Sequence, residues 1–123
     1  MDTAYLVVTV VAVVANAFSG LGAMTRFPPV LRTLRPVMAR VGVPESFMVF
    51  PIGFLKTAGA AGLLLGLLGV PLVGPAAAIG LVLFFVCAAW THVRVGDYSA
   101  TFFLGTGFFL PLAVAALALA LAV

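Results

Sequence analysis

The chain has 123 residues, of which 65% are hydrophobic and 7% are charged, and its mean hydropathy is +1.35. A soluble domain of this length needs far more charge to cover its surface, so we expect lipid to be the solvent for most of the surface. The formal net charge is +3, and because four of the six basic residues lie in one loop between apolar segments, anionic headgroups are the expected partners rather than nucleic acid.

Hydropathy predicts four membrane-spanning segments, at residues 4–24, 47–68, 72–91 and 101–122. Backbone polar groups in hydrocarbon must be satisfied within each segment, so the segments are expected to be helices. The sequence therefore predicts an all-α integral membrane four-helix bundle, with residues 1–123 as a single domain. The second and third segments are separated by so few residues that they must be antiparallel neighbours.

The first connection, residues 25–46, is predicted to contain a short amphipathic helix at the membrane interface. Apolar residues recur there at helical spacing and arginines occupy the opposite face: Val30, Leu34, Val37 and Val41 against Arg32, Arg35 and Arg40. Pro36 is expected to break or redirect this helix. The alternative interpretation is a solvated loop.

The distribution of basic residues predicts the orientation of the bundle. Loops 25–46 and 92–100 share one side and carry five arginines, whereas the opposite side, with both termini, carries no Lys or Arg. The positive-inside rule therefore places both loops in the cytoplasm and both termini outside the cell. Preference for Arg over Lys and heavy use of Ala, Gly and Val are typical of a GC-rich bacterial genome, so the expected location is a bacterial inner membrane.

Lys56 is a lone charge within the second span, about nine residues from its start and so roughly 13 Å deep. An unpaired ammonium at that depth costs several kcal/mol, so Lys56 is expected to have a partner, access to water or a functional role. Asp97 is its expected counter-ion, with Arg94 and His92 competing for the same carboxylate. The alternative is that the Lys56 side chain merely extends to the interface.

Sorting by depth places nearly every polar side chain of the spans in the cytoplasmic half of the bundle. We therefore predict a polar pocket that is open to the cytoplasm and closed on the other side by apolar side chains. Its candidate ligand-binding residues are Lys56, His92, Asp97, Arg94, Asn16 and Thr101. A histidine beside an aspartate suits proton transfer. Because no nucleophile–base pair is evident, no catalytic residue is assigned, and the chain is not expected to be an enzyme on its own.

Glycines in the second span form a small-residue stripe against which another helix can approach closely. The predicted packing residues are Gly59, Gly62, Gly66 and Gly69. The stripe leaves open whether the approaching helix belongs to the bundle or to a partner subunit. In the fourth span, Gly105, Gly107 and Pro111 predict a kink. The neighbouring phenylalanines are expected to face lipid rather than a flat ligand: Phe102, Phe103, Phe108 and Phe109.

The metal-binding and redox-active side chains are few. Cys87 is the single cysteine, and the chain has one histidine and three carboxylates, which excludes an intrachain disulfide and a dedicated zinc or di-iron site. No metal site and no intrinsic cofactor are therefore expected. Cys87 lies in an apolar segment and is expected to behave as a small hydrophobic residue.

Three stretches resemble the DoxX-like family of small four-helix bacterial membrane proteins: PIGFLKTAGAAGLL at residues 51–64, GLVLFFVCAAWTH at residues 80–92, and the Gly96-Asp97 that follows. The resemblance covers nearly the whole chain. It implies a membrane subunit of a quinone-linked oxidoreductase or of another membrane-associated redox complex. Many relatives carry a glutamate shortly after the lysine of the second span, and this chain has Gly59 and Ala60 there instead.

Three functions compete at this point. The first is a small membrane subunit that docks a redox partner and binds a quinone headgroup, with Lys56, His92 and Thr101 as hydrogen-bonding groups at the end of an apolar slot. The second is a purely structural subunit of a larger membrane assembly, which predicts that no cavity exists. The third is a free-standing binder of a lipid-like small molecule. A small multidrug transporter is disfavoured because it depends on a carboxylate in the first span, where Asn16 is the only polar candidate.

Overall fold

The computed structural model describes residues 3–25, 27–42, 44–98 and 100–122, which form helices joined by short turns. In chain order the α-helices are α1 Thr3–Met24, α2 Pro28–Val41, α3 Phe54–Leu67, α4 Val73–Arg94, α5 Ala100–Leu104 and α6 Leu110–Ala122. Four helical segments among these residues are long and apolar enough to cross a membrane: Thr3–Met24, Phe50–Leu67, Val73–Arg94 and Thr101–Ala122. The predicted all-α membrane bundle is thereby confirmed.

The spans form a closed bundle in which each packs against two neighbours. Helix α3 lies against α1 and α4, and α6 lies against α4 and α1. The core between them is made of small and branched residues around two rings: Ala12, Leu63, Ala78, Leu81, Phe85, Phe109 and Ala113. Small side chains on facing helices allow the helices to approach closely in hydrocarbon, where burial from lipid gains little.

The glycine stripe of α3 packs against α4 within the bundle. A Cβ added to Gly66 would lie 2.7 Å from the Cα of Gly74, and one added to Gly62 would lie 2.6 Å from the Cβ of Ala77. Gly59 faces Leu81 in the same way. Gly69 serves the α3–α4 turn instead, since its φ is +99° and nothing lies within 4 Å of the added Cβ. A second copy or a partner helix is therefore not needed to explain the stripe.

Helix α2 is amphipathic and lies partly against its own bundle. Val30 and Met38 are buried with Ala23 of α1, whereas the side chains of Leu34 and Val37 and the whole of Arg26 lie outside the described part of the chain. The helix continues through Pro36, so the expected break there is wrong, while the alternative, a change in the direction of the helix, stays a prediction.

Exposure at the surface explains why Pro36 does not end the helix. The proline ring removes the hydrogen bond to the carbonyl of Arg32, and both residues are exposed. Solvent replaces the missing donor at such a position. Further along the helix, Arg40 donates from Nη1 to the carbonyl oxygen of Gly96 at 2.9 Å. That bond joins α2 to the turn after α4.

Two spans contain an irregular segment at the same end of the bundle. Before α3, residues Val49–Gly53 are interrupted at Phe50, whose φ of −143° and ψ of 128° are extended rather than helical, and before α6, residues Gly105–Phe109 form a π-helical turn. In the second case the N–H of Leu110 donates to the carbonyl of Gly105, five residues earlier. This widened turn lies just before Pro111, and the kink expected there stays a prediction.

Candidate functional site

A cavity of about 410 Å³ lies inside the bundle at the end that holds α2, and we call it the Lys56 cavity. Its walls come from the five helices α1 to α5 and from the irregular segments that precede α3 and α6. The polar side chains on its lining are Ser19, Lys56, Thr91, His92, Thr101 and Thr106. At the end toward the connecting loops, Met38 and Val41 of α2 also line the cavity. The rest of the lining is mainly aliphatic and aromatic.

Lys56 points into the bundle and is 7% exposed. Its Nζ donates a hydrogen bond to the Oγ of Ser19 at 2.9 Å. Three aromatic rings surround the ammonium: the centroids of Phe84 and Phe85 lie 5.7 Å from Nζ and that of Phe109 lies 5.4 Å away. Ring faces carry negative charge density and attract a cation at such distances, more strongly where water is absent. The ammonium is thus stabilised by rings and one hydroxyl.

Asp97 pairs with His92, so the expectation that it is the counter-ion of Lys56 is wrong. The Oδ2 of Asp97 lies 3.0 Å from the Nδ1 of His92, and the two residues are 5% and 7% exposed. The backbone N–H of Asp97 also donates to the carbonyl of His92 at 2.9 Å. The turn at residues 95–96 brings the two together, with Gly96 in the left-handed region at φ +69°.

This pairing fixes the orientation of the imidazole at the cavity. A carboxylate that accepts a hydrogen bond from Nδ1 holds the ring in one orientation. Nδ1 is engaged with Asp97, so Nε2 is the nitrogen that remains for a molecule in the cavity. The ring of Phe102 lies beside it, with the two centroids 5.8 Å apart.

The remaining predicted site residues divide between the cavity and its surroundings. Thr101 lines the cavity. Arg94 is exposed in the last turn of α4 and lies outside the cavity lining. Asn16 is buried in α1, where its Nδ2 donates to the carbonyl of Ala12 at 2.9 Å. Its Oδ1 is buried without a partner among the described residues.

Sequence reasoning missed the aromatic lining and the hydroxyl that holds the lysine. Phe102 and Phe109 line the cavity rather than facing lipid, whereas Phe103 and Phe108 are exposed as expected. Ser19 follows Asn16 by three residues, which places both on one side of α1, and this spacing was the available signal. For Phe84 and Phe85 no such signal exists, because two adjacent aromatic residues in an apolar span are also ordinary lipid-facing residues.

Cys87 occupies an unexpected position. It is exposed, and it lines both the Lys56 cavity and a second cavity on the outer face of the bundle. Its thiol is thus at the surface of a span rather than packed in the core.

Four spans that are long and apolar enough to cross a membrane define a small multi-pass membrane protein. The profile of the DoxX-like family matches residues 7–123, and the chain belongs to this family. No curated protein and no solved structure matches the chain.

Proposed function

We propose that the protein binds a quinone-type headgroup in the Lys56 cavity and acts as a small membrane subunit of a redox complex. The observation that carries this proposal is the cavity of about 410 Å³ between the spans, which combines aromatic walls with a buried ammonium and a buried histidine. Ligand sites for small molecules have volumes of about 300–1,000 Å³ and apolar walls with a few placed polar groups. The cavity has both properties.

The chemistry of the lining favours a ligand with hydrogen-bond acceptors at its polar end. The ammonium of Lys56 has three N–H donors, and among the described residues Ser19 accepts one of them. The others suit a ligand carbonyl. His92 supplies a second donor through Nε2 when it is protonated, because Asp97 holds Nδ1. A quinone has two carbonyl acceptors and a flat ring that packs against Phe side chains.

Proton transfer fits the same arrangement. Reduction of a quinone to a quinol adds two electrons and two protons, and a redox partner would supply the electrons. Lys56 and His92 are groups able to give up a proton to the reduced oxygens, and the Asp97 carboxylate holds the imidazole in position. In this proposal the chain binds the headgroup and supplies protons, and it does not itself carry electrons.

The cavity also separates this proposal from a purely structural role. A subunit that served assembly alone would need no cavity, and the glycine stripe that would suit partner contact is used within the bundle. A free-standing binder of a lipid-like molecule remains the second candidate, since the same cavity supports it. Copurification in a mild detergent distinguishes the two. Copurification of a redox enzyme with the protein supports the role as a subunit. Purification of the protein without a partner supports the free-standing binder.

Binding is tested by ligand-dependent thermal stabilisation in detergent. With 2,3-dimethoxy-5-methyl-1,4-benzoquinone at about 100 times its Kd, wild type should gain about 2.7 kcal/mol of stability. Lys56→Met keeps the length of the side chain and removes the donors, so the gain should be lost. Arg94→Met is the matched control, because it removes a charge outside the cavity. A quinone that stabilises neither wild type nor Arg94→Met, or that stabilises Lys56→Met equally, would contradict the proposal.

We further propose that the arginine-bearing loops lie in the cytoplasm of a bacterial cell and that both termini lie outside. The charge asymmetry supports this orientation. In a Cys87→Ala background, Thr3→Cys and Ala39→Cys place one thiol at each end of the bundle, at exposed positions. A membrane-impermeant maleimide applied to cells with a permeable outer envelope should label Thr3→Cys alone. Labelling of Ala39→Cys alone would reverse the orientation.

A further inference from the structure

A groove of about 470 Å³ runs along the outer face of α3 and α4. Its lining residues are Leu55, Ala58, Gly59, Ala77, Gly80, Leu81, Leu83, Phe84 and Cys87. None of these side chains carries a charge or an amide. Because both helices span the membrane, hydrocarbon is the medium that reaches this face.

The groove adjoins the Lys56 cavity, and the two spaces share part of their walls. Leu55, Phe84 and Cys87 line both, and Phe84 is also one of the rings around the ammonium. Leu55 is 44% exposed, so the residues shared by the two spaces reach from the lipid-facing surface to the buried lysine. The other end of the cavity is bordered by Met38 of α2, which is 5% exposed.

One position in the wall of the groove, Gly80, has no side chain and faces open space. A Cβ added to Gly80 would meet nothing within 4 Å, and Gly80 is exposed. This glycine is therefore not needed for helix packing, in contrast to Gly62 and Gly66. A larger residue at position 80 would fill the groove without displacing the neighbouring helix.

We propose that the α3–α4 groove holds the apolar chain of the ligand, and that the ligand enters sideways from the bilayer between Leu55 and Phe84. The inference rests on the proposed headgroup site in the Lys56 cavity and specifies the ligand as a membrane-dissolved amphiphile. Its polar end lies beside Lys56 and its chain lies against Gly80 and Leu83. A water-soluble compound of the same headgroup chemistry lacks this second contact.

The test compares two quinones on three proteins by the thermal stabilisation assay. The probes are 2,3-dimethoxy-5-methyl-1,4-benzoquinone and the same ring with a decyl chain at position 6. In Gly80→Phe, affinity for the decyl compound should fall about tenfold, which is about 1.4 kcal/mol, while affinity for the compound without a chain changes less than about twofold. Ile79→Phe is the control, since Ile79 is exposed beside Gly80 and lies outside the groove lining.

Each failure has a different meaning. If neither quinone stabilises the wild-type protein, the proposed headgroup site is wrong, and the proposal for the groove, which depends on it, is wrong as well. If both quinones bind and Gly80→Phe leaves the decyl compound unaffected, the headgroup site stands and the chain lies elsewhere. If Gly80→Phe changes the molar mass of the detergent-solubilised protein measured by light scattering, the groove is occupied by a second copy, and the proposal is overturned. Unchanged unfolding of ligand-free Gly80→Phe shows that the variant folds.

Discussion

At the end of the bundle that holds the α3–α4 turn, two helix backbones nearly touch, with glycines facing each other at positions 66 and 74. At the other end, the same helices stand on either side of a cavity of about 410 Å³. The difference follows from side-chain size and from backbone geometry. Glycine and alanine close one end, while the irregular segments before α3 and α6 and several phenylalanines line the open end. One pair of helices thus supplies both a rigid seam and a binding space.

The largest effect on stability is expected from a substitution at the closed end. Gly66→Leu should cost at least about 3 kcal/mol, because an added Cβ alone would lie 2.7 Å from the Cα of Gly74 and the backbone must move. Unfolding in mixed micelles with increasing SDS measures the cost. Gly80→Leu on α4 is the control, and it should be neutral or stabilising by less than about 1 kcal/mol. Equal stability of the two variants would show that the seam does not hold the bundle together.

At the open end, Asp97→Ala should have the next largest effect. It leaves the Nδ1 of the buried His92 without its carboxylate, at a cost of about 2 kcal/mol. Asp97→Asn keeps an acceptor oxygen at the same position and should recover at least half of that loss. The SDS titration measures both. No loss in Asp97→Ala would mean that the His92–Asp97 pair contributes nothing to the fold.

Ser19→Ala tests how the open end tolerates a buried cation. Removing the hydroxyl takes away the hydrogen bond of the Lys56 ammonium and should cost about 1.5 kcal/mol. In the Lys56→Met background the same serine substitution should cost much less, because no ammonium remains to be satisfied. The difference is the coupling energy of a double-mutant cycle, expected to be about 1 kcal/mol. A coupling near zero would indicate that the rings alone hold the ammonium.

The smallest expected effect concerns the attachment of α2. Arg40→Ala removes a hydrogen bond to the Gly96 carbonyl that is exposed, so the global cost should be about 0.5 kcal/mol. Hydrogen exchange should nevertheless become faster in α2 while the spans are unchanged. Arg32→Ala, at an exposed position on the same helix, should leave exchange unaltered. Faster exchange in both variants would indicate a loss of helicity rather than of the bond.

The closed end could be predicted from sequence more fully than the open end. Spans and glycine spacing are local patterns, and they identified the helices and the face of α3 that packs closely against another helix, although α4 as the partner came only from the structure. The partner of Asp97 depends on the turn between His92 and Asp97, where Gly96 takes φ +69°. That turn brings the carboxylate back to the histidine and away from Lys56. Hydropathy places acidic and basic groups near the same membrane surface. It does not indicate which of them form pairs.

The aromatic residues show the same limit from another direction. Phe102 and Phe103 are adjacent and equal in hydropathy, yet Phe102 lines the cavity and Phe103 is 61% exposed. Adjacent residues in a helix point in directions about 100° apart, so the rotation of α5 about its own axis decides which of the two faces the cavity. A phenylalanine that faces lipid and one that faces the bundle interior are both in apolar surroundings. Composition therefore does not predict which way each ring points.

The short turn at residues 68–72 also bears on how the chain enters the bilayer. The span Phe50–Leu67 has a mean hydropathy of 1.5, against 2.1 for each of the other three. Its lysine adds about 2.5–3.5 kcal/mol to the insertion free energy of a helix that stands alone. Helix α4 is more apolar and is joined to α3 by a few residues, and its Phe84 and Phe85 contact the ammonium. Insertion of α3 and α4 together as one hairpin should therefore be more favourable than insertion of α3 alone, because the more apolar α4 offsets the cost of Lys56.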